Sequence, residues 1–310
     1  MQAMVFTAPG VVEILDVERP EPAPGEVVVK VESSGICGSE LHGISKPGFR
    51  QPPLVMGHEF AGTTADGRRV VVNPLVSCGE CDLCQARRRQ LCRVRSIIGI
   101  HRPGGFAQEV VVPEQMLHTL PDHLSWDQGA MVEPLANAVH AWNVAGAPTA
   151  ARVGIIGAGT IGLVSLLVAR RDAAEVVVTD LSQERRAMAS ELGADVVATE
   201  LEGEFDVIID AVGAGATHKA SIDHLKPGGT TVWIGLLSPE AGFDAMDLIR
   251  SEKTIRGTFT YSNEEFARAI DLADEVDLSW ATSFSLSQGA DIFTQLMNGR
   301  SDVIKALLRP

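Results

Sequence analysis

Residues 152–162 read RVGIIGAGTIG, and this stretch decides the fold of the middle of the chain. The apolar segment 152–156 predicts a buried strand, a helix is predicted over residues 160–170, and a GxGxxG motif joins the two. Such glycines permit a tight turn, close approach of the backbone to a pyrophosphate and close helix-to-strand packing, while the helix N-terminus attracts negative charge. A lone GxGxxG is weak evidence, but this context predicts a dinucleotide-binding turn. The residues assigned to it are Gly157, Gly159, Thr160, Ile161 and Gly162.

Asp180 ends the next apolar strand, eighteen residues after Gly162. A carboxylate at this place accepts hydrogen bonds from the adenosine ribose hydroxyls and repels a 2′-phosphate, so the sequence favours NAD over NADP. Arg185 and Arg186 follow one turn later and would partly offset that repulsion. A glycine-rich turn that binds no nucleotide is the alternative interpretation.

The chain around this motif alternates between apolar strands and helices. Strands are predicted at 152–156, 175–179, 195–199, 205–211, 230–234 and 254–258, and helices at 160–170 and 183–192. Strands that are apolar throughout predict a parallel sheet with helices on both faces. The sequence therefore predicts an α/β doubly wound fold for this region.

Residues 1 to about 135 have a different texture, with short β runs interrupted by Pro and Gly. These runs lie at 11–15, 26–31, 69–72 and 106–112, a spacing that predicts an all-β unit with a cysteine-rich excursion. A length of 310 residues allows about two domains.

All five cysteines fall into two zinc-type patterns. Cys78, Cys81, Cys84 and Cys92 can complete one tetrahedral Zn²⁺ site of the closed, structural kind. Cys37 precedes a Gly-His-Glu triplet at 57–59, and one thiolate, one imidazole and one carboxylate leave an open, catalytic position on the metal. Two disulfides in a secreted protein are the alternative for the cluster. Residues 1–20 contain no leader-like apolar block, so we expect reduced cysteines and a cytoplasmic protein.

Charge and hydropathy exclude two classes of partner. A net charge of −14 repels a phosphate backbone and argues against nucleic acid. The longest apolar stretch, near 155–169, is broken by glycines and too short to cross a bilayer, so no membrane partner is expected. The one basic run, Arg87-Arg88-Arg89, either offsets the thiolate charge on zinc or forms a solvated turn.

Six strings together resemble the zinc-dependent medium-chain alcohol dehydrogenase family, in order over essentially the whole chain. They are GICGSELH (35–42), GHEFAG (57–62), CGECDLCQARRRQLC (78–92), GGFAQEVVVP (104–113), EPLANAVHA (133–141) and GAGTIG (157–162). The resemblance implies a GroES-like, mainly β catalytic domain from residues 1–136 and 259–310, with a structural zinc loop at 78–92. It implies a Rossmann NAD-binding domain at 137–258. The chain is shorter than most members, with a trimmed hairpin between residues 62 and 69.

The resemblance also implies the site. Cys37, His58 and a glutamate hold the catalytic Zn²⁺, giving two zinc ions per chain with the structural site. Glu59 and Glu133 compete for the glutamate position, and both are expected in the site; a dipole-stabilised acid at a helix start is the alternative for Glu133. Ser39 and His42 match the family's proton relay, with plain turn residues as the alternative. Glu40 replaces the usual aspartate, which orients the zinc-binding histidine in the family.

The substrate is the least determined feature. The glutamate-type zinc site and Tyr261 are similar to polyol dehydrogenases, in which this tyrosine lines the substrate pocket; Thr260 replaces an arginine usual there. A half-buried aromatic at a strand end is the alternative for Tyr261. We expect a homodimeric or homotetrameric enzyme that transfers a hydride from a secondary alcohol of a polyol, cyclitol, sugar or amino-alcohol to NAD. An NADPH-dependent carbonyl reductase and a catalytically inactive binding or regulatory relative are the alternatives.

Overall fold

The computed structural model describes residues 1–44, 50–300 and 302–310, and the chain divides into two units. Unit 1 comprises Met1–Glu133 and Ser262–Pro310, and unit 2 comprises Pro134–Tyr261. No helix among the described residues combines the length and apolar character that a membrane span requires.

The N-terminal part of unit 1 is built mainly from strands. Its elements are β1 (Gln2–Ala8), β2 (Val11–Asp16), β3 (Glu26–Gly35), α1 (Gly38–Gly43), β4 (Leu54–Val55), β5 (Glu59–Thr64), β6 (Arg69–Val72), β7 (Leu75–Val76), α2 (Asp82–Gln85), β8 (Ser96–Ile97), β9 (Glu109–Pro113), β10 (Leu117–Thr119) and α3 (Trp126–Ala130). The turns Arg89–Leu91 and Glu114–Met116 are 3₁₀-helical.

Unit 2 alternates strands and helices. Helix α4 (Val132–Ala145) leads into it, and its elements are β11 (Arg152–Ile156), α5 (Thr160–Ala169), β12 (Glu175–Thr179), α6 (Gln183–Glu191), β13 (Val196–Ala198), β14 (Phe205–Asp210), α7 (Gly215–Asp223), β15 (Leu225–Trp233), α8 (Ala245–Arg250) and β16 (Thr254–Gly257). The chain then returns to unit 1 with α9 (Asn263–Leu272), β17 (Ala281–Ser285), α10 (Gly289–Met297) and β18 (Lys305–Arg309), and with 3₁₀ turns at Ala273–Glu275 and Leu286–Gln288.

The sheet of unit 2 is parallel throughout, in the order β13-β12-β11-β14-β15-β16. This order reverses direction between β11 and β14, which is the switch point of the doubly wound Rossmann fold, where ligands bind at the carboxyl ends of the strands. The core includes Ile156, Phe205 and Ile208, each 8% exposed or less. The predicted α/β class is confirmed, including the strands 152–156 and 175–179.

Strand β3 is the centre of unit 1. It pairs antiparallel with β5, β9 and β18, so the last strand of the chain lies beside the strand that leads to Cys37. A second sheet has the order β2-β1-β4, and β7 pairs with β8. The apolar clusters of the unit include one around Met4, Phe106 and Phe293 and another around Phe60.

Several elements differ from the sequence-based expectation, among them one strand of unit 1 and one helix of unit 2. The strand predicted from residue 106 begins at Glu109, because the backbone NH groups of Gly104, Gly105 and Phe106 bond instead to the carbonyls of residues 55–57. Helix α7 was not among the predicted helices, since Gly215 and the run of small and polar residues after it give no apolar periodicity.

Candidate active site

Cys37, His58 and Glu59 come together in unit 1. One donor atom from each lies within 4.8 Å of the others. The antiparallel pairing of β3 with β5 sets Gly35 opposite Glu59, which brings the Cys37 end of β3 beside the histidine. A thiolate, an imidazole and a carboxylate at this spacing fit Zn²⁺ with one position left for a substrate oxygen.

Glu40 fixes the geometry of this group. Its carboxylate is fully buried, with Oε1 3.1 Å from His58 Nδ1 and accepting a hydrogen bond of 2.9 Å from the Gly57 NH, while Oε2 accepts one of 3.0 Å from the Cys37 NH. Because Nδ1 faces Glu40, Nε2 is left for the metal. The longer acid therefore takes the orienting role expected of the family's aspartate.

The charges in this group support one another. Burial alone would raise the pKa of Glu40, but His58 and Arg50 outweigh it and lower that pKa. Burial alone would lower the pKa of His58, yet Glu40 and Cys37 outweigh it and raise that pKa well above its ordinary value. A metal ion that binds His58 therefore competes with a proton, whose binding the raised pKa favours.

Lys305 on β18 is the partner of Glu59. Both side chains are buried, and the ammonium group contacts Glu59 Oε2 and donates to the Ile36 carbonyl at 3.1 Å. A Cβ atom at Gly35 would lie 2.8 Å from the Lys305 ammonium, so the pair needs a glycine there. The lysine compensates one carboxylate charge beside the metal position.

The second cysteine group has the geometry of a closed metal site. The Sγ atoms of Cys78 and Cys84 are 3.8 Å apart, those of Cys81 and Cys92 are 4.0 Å apart, and those of Cys92 and Cys78 are 3.5 Å apart. A tetrahedral Zn²⁺ with Zn–S bonds of about 2.3 Å separates its sulfurs by roughly 3.8 Å. Disulfide sulfurs are separated by only about 2 Å, so these are free thiols arranged for a metal.

The glycine turn in unit 2 has room for a ligand. Gly157 has φ +94°, and a Cβ at Gly162 would overlap the Gly157 carbonyl oxygen, so both glycines are required by the turn itself. At Gly159 a Cβ would meet only the Arg185 guanidinium, at 3.9 Å. Protein packing does not explain this glycine, whereas close approach of a pyrophosphate does. Thr160 and Ile161 begin helix α5 directly behind it.

Asp180 is tied to this turn. Its Oδ2 accepts a hydrogen bond of 2.8 Å from the Ala158 NH, and Oδ1 accepts one of 2.9 Å from the Ser182 NH. Each carboxylate oxygen keeps a lone pair for another donor. The Arg185 guanidinium lies 3.9 Å from where a Cβ on Gly159 would stand. A negative and a positive group therefore both border the predicted nucleotide site.

Comparison with known proteins identifies the family. Residues 23–122 match the alcohol dehydrogenase GroES-like domain model, and residues 160–275 match the zinc-binding dehydrogenase model. L-galactonate-5-dehydrogenase from Escherichia coli K12 is 32% identical over 81% of this chain and 81% of its own length. Sorbitol dehydrogenase from Macaca fascicularis is 34% identical over 84% of this chain and 82% of its own length. The chain belongs to the zinc-dependent medium-chain alcohol dehydrogenase family.

A solved structure agrees with this assignment. A zinc-binding dehydrogenase from Sinorhizobium meliloti, bound to NADP, has a TM-score of 0.93 at 30% identity and covers 100% of this chain and 99% of that chain. The resemblance inferred from the sequence is thus confirmed, and the chain is an oxidoreductase of the zinc-type alcohol dehydrogenase family.

The remaining site residues expected from this family differ in burial and in their distance from the metal group. Ser39 is half-buried and its hydroxyl donates to Cys37 Sγ at 3.3 Å, while His42 is exposed on α1. Glu133 is 6% exposed in the first turn of α4 and is not a member of the described group of Cys37, His58 and Glu59. Tyr261 is only 1% exposed.

Two residues near the metal group were missed by the sequence analysis. Lys305 carries no local motif, and its partner Glu59 is 246 positions away. Arg50 is 3% exposed and donates to the Ser39 carbonyl at 2.9 Å. Lys305 stands as a charged residue in an otherwise apolar stretch, 303–308, and Arg50 offers no such signal.

Proposed function

We propose that this protein is an NAD-linked, zinc-dependent dehydrogenase of a secondary alcohol on a polyol, cyclitol, sugar or amino-alcohol skeleton. The observation that carries this proposal is the open three-donor group of Cys37, His58 and Glu59, set beside a separate, closed group of four thiols. The sorbitol and L-galactonate specificities in the names of two relatives support the substrate class.

The residues of unit 1 have separate roles in holding the two metal ions and in orienting their ligands. Cys37, His58 and Glu59 hold the catalytic zinc, which when bound supplies Lewis-acid polarisation of the substrate oxygen. Glu40 orients His58, and Lys305 holds Glu59. Glu133 remains the competing carboxylate, either as a direct ligand or as the group that holds a water. Cys78, Cys81, Cys84 and Cys92 hold the structural zinc.

Ser39 and His42 transfer the hydroxyl proton of the substrate alcohol toward solvent. The Ser39 hydroxyl lies beside Cys37 and therefore beside the metal position, and the exposed His42 can exchange a proton with solvent. An imidazole has a pKa suited to that exchange near neutral pH. Tyr261 is proposed to border the substrate.

NAD is the proposed cofactor, bound at residues 157–162 and Asp180. Asp180 disfavours a 2′-phosphate, whereas Arg185 beside Gly159 favours one, so an NADPH-dependent carbonyl reductase is the competing function. The NADP-bound relative from Sinorhizobium meliloti supports that competitor.

We further propose a cytoplasmic homodimer or homotetramer. Free cysteines support a reducing compartment. Leu236, Met246 and Ile249 are 71%, 57% and 72% exposed, and the nearby strand β16 forms the edge of its sheet, which together support association of copies. The domain roles follow the predicted ranges, with catalysis in 1–136 and 259–310 and nucleotide binding in 137–258.

The test uses purified, zinc-replete protein, with each alcohol offered with NAD and with NADP and followed by nicotinamide absorbance. We expect about two zinc ions per chain and turnover of a polyol-type alcohol with NAD. Cys37→Ala should abolish turnover while the fold and NAD binding persist, and a Cys78 variant serves as the contrasting zinc-loss control. Retained activity in Cys37→Ala refutes the mechanism, preferred use of NADPH selects the reductase, and absence of turnover with full zinc selects an inactive binding relative.

A further inference from the structure

The loop of residues 78–92, here called the cysteine loop, borders a surface pocket of about 500 Å³ within unit 1. Gln85, Arg87 and Arg89 line it from the loop, and Asn263 and Glu264 line it from the start of α9. Gly79 and Cys84 also line it, so the pocket adjoins the four-thiol group, whereas the group of Cys37, His58 and Glu59 and the dinucleotide turn take no part in its lining.

The arginines of this pocket have no acidic partner. Across residues 1–44, 50–300 and 302–310, no ion pair joins Arg87, Arg88 or Arg89 to a carboxylate, whereas Arg93 of the same loop pairs with Asp82. All three side chains are exposed. In a chain with a net charge of −14, two unpaired guanidinium groups at one pocket are positioned to meet an external anion.

The backbone holds these arginines in place. Arg87 has φ 60°, and its NH bonds to the Cys84 carbonyl at 3.1 Å; the Cys92 NH bonds to the Arg89 carbonyl at 3.0 Å. Backbone hydrogen bonds thus join the turn at both ends to residues whose thiols belong to the cysteine group. A ligand that binds here meets a turn that is already ordered, so less conformational entropy is lost on binding.

Two amides extend the donor set. Asn263 Oδ1 accepts a hydrogen bond of 3.3 Å from Asn73, which leaves the Asn263 NH₂ group as the donor, and Gln85 supplies a second amide. Two guanidinium groups and two amides match an acceptor with three or more oxygens. Glu264 and the Cys84 thiolate of the structural metal site oppose the two positive charges, so an anion is held here by the guanidinium and amide hydrogen bonds and not by a net positive charge.

We propose that this pocket binds a phosphomonoester dianion. One guanidinium group can donate two parallel N–H···O hydrogen bonds to a phosphate, and charge-assisted hydrogen bonds are about twice as strong as neutral ones. The dianion is either the phosphate group of a substrate or free inorganic phosphate. The competing role for the arginines, compensation of thiolate charge on the structural zinc, predicts loss of zinc when they are replaced.

The first experiment measures inorganic phosphate binding to the zinc-replete full chain by calorimetry. Arg87→Gln and Arg89→Gln should each weaken binding about tenfold. Arg88→Gln removes the same charge from the same run outside the pocket and should change affinity less than about twofold. Glu264→Gln should tighten binding. Zinc content should stay at the wild-type level in all four variants.

The proposal is overturned if phosphate does not bind, if Arg88→Gln weakens binding as much as Arg87→Gln, or if Arg87→Gln loses one zinc per chain. A second experiment compares KM for a phosphorylated and an unphosphorylated sugar alcohol in wild type and Arg87→Gln. A rise in KM for the phosphorylated alcohol alone, at unchanged kcat, assigns the site to the substrate. Unchanged KM values together with phosphate binding assign it to free phosphate. Phosphate binding is measured without turnover, so failure of the proposed dehydrogenase activity does not affect it.

Discussion

Replacement of Lys305 by methionine tests the electrostatics of the metal group. The lysine and Glu59 are in contact and are 0% and 1% exposed, so water solvates neither charge. Methionine keeps most of the side-chain volume and removes the ammonium group. Lys305→Met therefore leaves a buried carboxylate that has lost its positive partner, with little change in packing.

The stability that Lys305→Met is expected to lose follows from the burial of this ion pair. Removing one member of a buried ion pair costs about 3–5 kcal/mol, because the remaining charge is desolvated without compensation. For a unit of this size, each kcal/mol shifts Tm by roughly 2–4 °C, so Tm of unit 1 should fall by roughly 6–20 °C. Zinc supplies positive charge next to Glu59, so the fall should be smaller in zinc-replete protein than after chelation.

The assay is thermal unfolding of wild type, Lys305→Met, Glu59→Gln and the double variant, each with zinc and with chelator. In the double variant the carboxylate is neutral, so we expect it to recover most of the stability lost in Lys305→Met. The reasoning is refuted if Lys305→Met is as stable as wild type without metal. It is also refuted if the Tm loss of the double variant equals the sum of the Tm losses of Lys305→Met and Glu59→Gln.

Three further predictions follow from the same structure. Gly159→Ala should keep wild-type Tm but weaken dinucleotide binding about tenfold or more, since only Arg185 is near its Cβ position. Gly162→Ala should instead lower the free energy of unfolding by on the order of 1–3 kcal/mol, because its Cβ would overlap backbone. Calorimetry measures the binding and thermal unfolding the stability, and equal stability of the two variants contradicts both expectations. Because the pKa of His58 is raised, zinc affinity should fall as pH decreases below that raised value, measured by chelator competition at about pH 6 and about pH 8; affinity independent of pH contradicts this. Ile249→Glu should shift the protein to a smaller assembly in light scattering, and an unchanged mass contradicts the proposed interface.

The nucleotide-binding unit is predictable from sequence because its signals are local. Strands β11 and β12 have apolar interiors and polar residues at or next to their ends, so their ends are predicted to the residue. The glycine pattern at 157–162 specifies a turn that few other residues can form. Helix α7 lacked such a signal, since its stability comes from packing beside β14 and β15.

The metal group is only half predictable, and the reason is the distance along the chain between its parts. Cys37 follows the end of β3, His58 precedes β5 and Glu59 begins it, and the three residues carry a recognisable pattern of donor types. Glu40 was identifiable because it stands three residues from Cys37. Lys305 and Arg50 act on these residues through the tertiary fold alone, and no spacing rule connects them.

Lys305 bears on the choice between the two glutamates, which sequence left open. A carboxylate that must ionise in a buried site needs a compensating cation, and the structure supplies one to Glu59 through a strand pairing that sets Leu307 opposite Gly35. Oε2 faces the ammonium, so Oε1 is left as the donor toward Cys37 and His58. Glu133 lies outside this donor group. If Glu133→Gln lost the catalytic zinc while Glu59→Gln retained it, this assignment of the ligand would be reversed, and Lys305 would stabilise the fold without acting on the metal.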